Sequence, residues 1–291
     1  MRFLSDLEYS ECRALDVYVP DVPRGAVLLL HGGWLDGDKS GEAVLAERLC
    51  RSGIIVFSAN FELDRSGPNG RALSDALAAL TWIRGSEFDF DRDRVAVMGV
   101  GIGGTVAIEA GLKEGIPVVA WSALIDFKSF MDGSATLGDS DHLRDYYGVS
   151  LETVREAGEQ IPFLRSVILA LVANNLSLLK QSSPMQRVTS SAGRMLLFNS
   201  MNEIVPAIGA DMLQRAMAEA NVRCTVNLIE GTAHGSEYLL QALPQFLTAA
   251  HMDASVDIVE YAHGEQDEYP VEALMRTMPG GGPIFRGHVP H

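Results

Sequence analysis

The chain has little of what would make it a disulfide scaffold, a nucleic-acid binder or a membrane protein. Only three cysteines occur in 291 residues, Cys12, Cys50 and Cys224. Their odd number, wide spacing and lack of a CxxC pair argue against a disulfide framework and against a zinc site, and they read as buried small apolar residues. Basic residues are also scarce: 23 Lys and Arg stand against 38 Asp and Glu, a formal net charge of -15 at pH 7. Such a surface repels phosphate backbones and anionic bilayers, so no nucleic acid and no membrane is expected as a partner. Long apolar runs are missing too. The greasiest stretch, 161–180, is interrupted by Arg165, Asn174 and Asn175, short of the ~20 nearly uninterrupted apolar residues that a bilayer span requires. The N-terminal MRFLSDLEYSECR contains no continuous apolar h-region, which points away from a secretory signal and toward the cytoplasm.

With 47% hydrophobic residues, the chain can bury one large core with a modest insertion. Short runs rich in Val, Ile and Leu alternate with helix-period segments from the N-terminus to about residue 250. That rhythm predicts an α/β fold, a mostly parallel sheet with helices on both faces. Strands are expected at 12–19, 26–31, 54–59, 94–99, 116–121, 194–199 and 223–229, with helices at 40–52, 70–84, 103–113 and 206–220. The rhythm breaks over 127–190, a connection long enough to carry its own structure. Within it, 140–183 reads as a helical cap over the C-terminal edge of the sheet. Its apolar helix 161–180 would face a pocket or a second copy of the chain in a homodimer, or simply extend the core. The main domain is placed at 1–251, and 252–291 reads as an acidic, Gly- and Pro-containing tail that buries little.

Four blocks carry chemistry, each at the end of an expected strand. In VLLLHGGWLDGDKS, a buried strand ends in His31-Gly32-Gly33-Trp34, where two glycines let backbone N–H groups turn into a cavity and stabilise an oxyanion. In DRVAVMGVGIGGTVAIEAG, a strand, a glycine-rich turn and a helix follow one another, as in the nucleophile elbow G-x-S-x-G. Here the turn is Gly99-Val100-Gly101-Ile102-Gly103, so every glycine is present and the serine is not. The rival dinucleotide fingerprint G-x-G-x-x-G lacks its full spacing and its downstream acidic residue. RMLLFNSMNEIVP offers a loop for a triad acid, and VRCTVNLIEGTAHGSEY a loop holding His234, last in the order nucleophile, acid, histidine. His142, His251, His263, His288 and His291 have no such setting.

The blocks HGGW, GDKS, FDFDRDRVAVMG, NEIVP and GTAHG together resemble the hormone-sensitive-lipase, kynurenine-formamidase and feruloyl-esterase-like branch of the α/β-hydrolase superfamily, over about residues 10–250. The resemblance implies an α/β-hydrolase fold and does not cover the cap or the tail; no cofactor and no metal are expected. It implies a nucleophile at 101, the acid at 202, the base at His234, and oxyanion donors from the N–H groups of Gly33, Trp34 and Ile102. This chain has Gly101 and Asn202 at two of the three triad positions. Without a serine hydroxyl no acyl-enzyme forms, which closes two-step ester hydrolysis. Asn202 could hydrogen-bond His234 but cannot stabilise an imidazolium as a carboxylate does; Glu203 could substitute if the loop turns it inward. What remains is an esterase-like, lipase-like site able to bind an apolar, carbonyl-containing small molecule. With His234 as base it would carry out a cyclisation, elimination or isomerisation, as do cyclases and lyases on this fold. The alternatives are a pseudoenzyme that binds a ligand or a protein partner, and an ordinary hydrolase inactivated at residue 101.

Overall fold

The computed structural model of the protein describes residues 1–23, 25–33, 37–63, 65–132 and 149–235. Its strands are β1 (Arg2–Ser10), β2 (Arg13–Val19), β3 (Gly25–Leu30), β4 (Ile54–Ala59), β5 (Val95–Val100), β6 (Val118–Trp121), β7 (Met195–Ser200) and β8 (Cys224–Ile229). They form one sheet in the order β1-β2-β4-β3-β5-β6-β7-β8. β1 and β2 pair antiparallel with each other, as do β2 and β4, and every later pairing is parallel.

Why the middle of the sheet reads as unbroken apolar runs is visible in its packing: every residue of β3, β4 and β5 is buried, because helices cover both faces. Alternate residues feed two cores. Val27 and Leu29 pack with Leu45 and Leu49 of helix α1 (Ala43–Arg51). Leu28 and Leu30 join the larger core built with α2 (Arg71–Gly85), α3 (Ile102–Glu114) and α8 (Ile208–Glu219). Each such side chain contributes about 1.5–3 kcal/mol by burial.

Between β6 and β7 lie α4 (Phe127–Asp132), α5 (Leu151–Glu156), α6 (Gln160–Leu171) and α7 (Leu176–Gln181). The expected single helix over 161–180 is therefore two helices. Ala173 and Asn174 adopt φ of 49° and 58°, a left-handed pair that an α-helix cannot contain, and the Asn175 side chain then caps α7 by accepting from Ser177 N at 2.9 Å. Phe163, Leu164, Val167 and Ile168 of α6 belong to the larger core. The apolar face of this helix is thus used within its own chain.

Two other expectations change. β1 was not anticipated, because register shifts between Leu4 and Leu7 and between Glu8 and Ser10, with Asp6 at φ 56°, interrupt the alternation that marks a strand. Cys12 is exposed in the β1–β2 turn. Cys50 is buried and Cys224 half-buried, and burial pushes their thiols up to about 11 and about 12. Residues 140–148 of the expected cap and the whole 252–291 tail lie outside the described residues. Among the described residues, no helix is long and apolar enough to cross a membrane.

Candidate active site

Five parallel strands, β3, β5, β6, β7 and β8, deliver their C-terminal ends to one edge of the sheet, the edge at which open α/β sheets bind ligands. β3 ends in His31, Gly32 and Gly33. The His31 ring is buried and stacked on Phe61, centroids 4.5 Å apart, with Nδ1 2.8 Å from the Gly32 carbonyl oxygen. Desolvation holds it below the ordinary histidine range, so it shapes the loop as a neutral ring. Gly32 N donates to the buried Glu42 carboxylate at 3.3 Å, and Gly33 adopts φ +101°. Lys39 ties the same loop to the edge of the sheet. Its Nζ pairs with Asp6 and Asp16, each at 2.9 Å, and its N donates to Asn60 Oδ1 at 2.8 Å. Trp34 lies outside the described residues.

β5 leads into Gly101, at φ 55° and ψ -121°. Residues with a side chain occupy that region only under strain, at a cost of about 1–3 kcal/mol. The turn is held from both sides: Gly101 N donates to Trp121 O at 2.8 Å and Thr105 N to Gly101 O at 3.2 Å. Close approach dictates the next glycine. A Cβ on Gly103 would stand 2.3 Å from His31 O and 2.4 Å from Leu30 O, so α3 seats against the end of β3 only without one. Ile102 opens α3, and its N–H is among those that a helix start leaves without an intrahelical acceptor, at the positive end of the dipole.

β7 leads to the loop expected to hold the acid, and here the placement expected for Asn202 is corrected. Met201 N donates to Ile229 O at 2.8 Å and Asn202 N to Gly231 O at 3.0 Å. These bonds extend the β7–β8 pairing into the loop and leave Asn202 exposed. The chain then turns Glu203 inward, with its side chain wholly buried. Glu203 Oε1 accepts from Asn199 Nδ2 at 3.0 Å and Ser200 N at 2.8 Å, and Oε2 lies 2.7 Å from His234 Nδ1. A carboxylate at Nδ1 selects the tautomer protonated there and leaves Nε2 as the acceptor.

The His234 loop is braced by a residue that the sequence did not single out. Ser122, just past β6, is buried at φ 51°, and its Oγ accepts from Gly235 N at 2.8 Å. No motif marks a lone serine after an apolar strand. His234 Nε2 faces the elbow: a Cβ built on Gly101 would meet it at 3.7 Å, and Gly32 Cα at 3.9 Å. Gly101, Gly32 and the Glu203–His234 pair therefore converge on one point, to which Ile102 is adjacent in the chain.

This architecture has counterparts. A sequence profile described as BD-FAE matches residues 15–217. The chain belongs to the BD-FAE family. The match spans the His31–Gly33 loop, the Gly101 turn and Glu203, and stops short of His234. No curated protein matches the chain in sequence. Among solved structures, a truncated carbohydrate esterase from gut microbiota superposes with TM-score 0.69 at 15% identity, covering 91% of this chain and 97% of that one. The propionate-bound esterase Est2 of the planctomycete Thermogutta terrifontis gives TM-score 0.60 at 16% identity, covering 86% and 95%. The Thermogutta terrifontis esterase 2 phosphorylated by paraoxon gives 0.57 at 15%, again covering 86% and 95%. At these identities the likeness establishes an α/β-hydrolase, esterase-like fold.

Proposed function

We propose that this BD-FAE family protein is a general-base catalyst that acts on a small, carbonyl-containing, largely apolar substrate without forming an acyl-enzyme. The observation that carries the reading is the assembled pair: His234 Nδ1 stands 2.7 Å from a Glu203 carboxylate with no side-chain exposure, and Nε2 is turned toward Gly101. Burying a carboxylate is costly unless it is paired and hydrogen-bonded, and Glu203 has two further donors.

In this reading His234 takes a proton through Nε2, and Glu203 stabilises the imidazolium that results. The N–H groups of Ile102 and Gly33 stabilise the negative charge that develops on the substrate oxygen. With glycine at 101 the proton comes from the substrate rather than from the enzyme. Elimination, isomerisation and ring closure are the reactions such a base serves.

The test uses 5-nitrobenzisoxazole, which opens to a coloured phenolate when a base removes its ring proton. The protein is expected to accelerate the opening, and His234→Ala to lower the rate by about 10²–10⁴-fold, the ordinary contribution of a positioned base. A His234→Ala protein that is folded and equally fast removes the base role.

A further inference from the structure

At the edge of the sheet opposite Gly101 and His234 lies an open cavity of about 940 Å³, within the ~300–1,000 Å³ range of small-molecule sites. β2 runs antiparallel to β4, so its last residue, Val19, stands where β4 begins, and α2 ends at the same cavity with Gly85. The walls are apolar and fixed. Leu7 and Val19 come from the β1–β2 hairpin, Trp82 and Phe88 from the end of α2 and the loop after it, and all four are half-buried. Both rings meet the buried Phe57 edge-on, at centroid distances of 6.2 and 5.5 Å, so the wall stands before a ligand arrives and little ordering is lost on binding. The charged lining is less settled. Asp21 is held by the Met1 amino group at 2.8 Å, but Arg2, Glu87 and Asp89 also line the cavity and, among the described residues, make no ion pair or side-chain hydrogen bond. Glu87 and Asp89 flank Phe88 in an exposed, half-buried, exposed alternation, which sets the two carboxylates on either side of one ring. Opposite charges that share a cavity without joining leave a gap for a ligand that carries both signs.

We propose that this cavity binds a short zwitterionic peptide with apolar side chains, its carboxylate on Arg2, its ammonium at Glu87 and Asp89, and its side chains against Leu7, Val19, Trp82 and Phe88. A guanidinium matches a carboxylate through two parallel N–H bonds. Two extended residues hold the terminal charges about 7 Å apart, a span over which Arg2 and the two carboxylates cannot meet directly. A ligand of one sign fits less well. A simple cation would face Arg2, and a simple anion would face both carboxylates and the chain's net charge of -15. No residue of the cavity belongs to the Glu203–His234 site, so the two readings stand or fall separately.

The experiment is calorimetric titration of the full chain with L-leucyl-L-leucine, its N-acetyl derivative, its C-terminal amide, and glycylglycine. Leucyl-leucine is expected to bind about tenfold or more tightly than glycylglycine, which has no side chain to lay against the wall. Blocking either end is expected to weaken binding about threefold to fivefold, the scale of an exposed ion pair, and salt at about 0.5 M to narrow those differences. Variants then locate each end. Arg2→Gln is expected to bind leucyl-leucine and its amide equally, and the double variant Glu87→Gln, Asp89→Asn to bind leucyl-leucine and its N-acetyl form equally. All three residues are exposed, so these changes leave the core intact, and the comparison among ligands needs no variant at all. The proposal is overturned if leucyl-leucine gives no heat of binding at millimolar concentration or if glycylglycine binds as tightly. An amide that binds the unaltered protein as well as the free dipeptide makes this a cation site and overturns the zwitterion, as does an N-acetyl form that loses nothing.

Discussion

The two halves of the site are built from different materials. On the β7–β8 side the chemistry is carried by side chains, Glu203 and His234, steadied by Asn199 and, from beyond β6, by Ser122. On the β3–β5 side it is almost all backbone: the Gly32–Gly33 loop, the Gly101 turn and the first amide of α3. A side-chain half can be changed one group at a time. A backbone half is specified by packing, and survives the loss of its best-known side chain because no neighbour leans on that side chain.

The comparison can be broken in graded steps. Glu203→Gln should have the largest effect, lowering base-catalysed ring opening by about 10²–10⁴-fold, because an amide no longer stabilises the imidazolium. Gly103→Ala attacks the other half and should act on stability instead, costing about 3 kcal/mol in urea unfolding as α3 is forced off the end of β3. Gly101→Ser should cost about 1–2 kcal/mol for placing a side chain at φ 55°. In exchange it should show, with p-nitrophenyl propionate, a p-nitrophenol burst and a propionyl adduct; a folded variant without them would mean that the backbone half no longer presents its donors. Asn202→Ala should be smallest, within about 0.5 kcal/mol and without effect on ring opening, since its side chain points to solvent. A marked loss there would return Asn202 to the site.

The two materials also differed in how legible they were. β3 and β5 were readable because their residues are buried on both faces and each run stops at glycine or a polar loop. The elbow was readable because Gly99 and Gly103 are dictated by close approach: a Cβ on Gly99 would stand 2.2 Å from Gly103 O. Which of Asn202 and Glu203 faces His234 was not decidable locally. The bonds that settle it come from Ile229 and Gly231, on a strand paired from far along the chain. β1 was hidden by its bulges, and the break between α6 and α7 by two residues in the left-handed region, a conformation that composition does not announce. Ser122 carried no signal at all.

Gly101 has one more consequence, concerning poisons. Organophosphates silence serine esterases by bonding to the nucleophile, and the Thermogutta terrifontis esterase 2 is a neighbour phosphorylated by paraoxon. Gly101 has no side-chain oxygen to accept the phosphoryl group. Paraoxon should therefore add no mass there and leave ring opening intact, so that in an extract treated with the inhibitor this fold would keep working after its serine-bearing relatives had stopped.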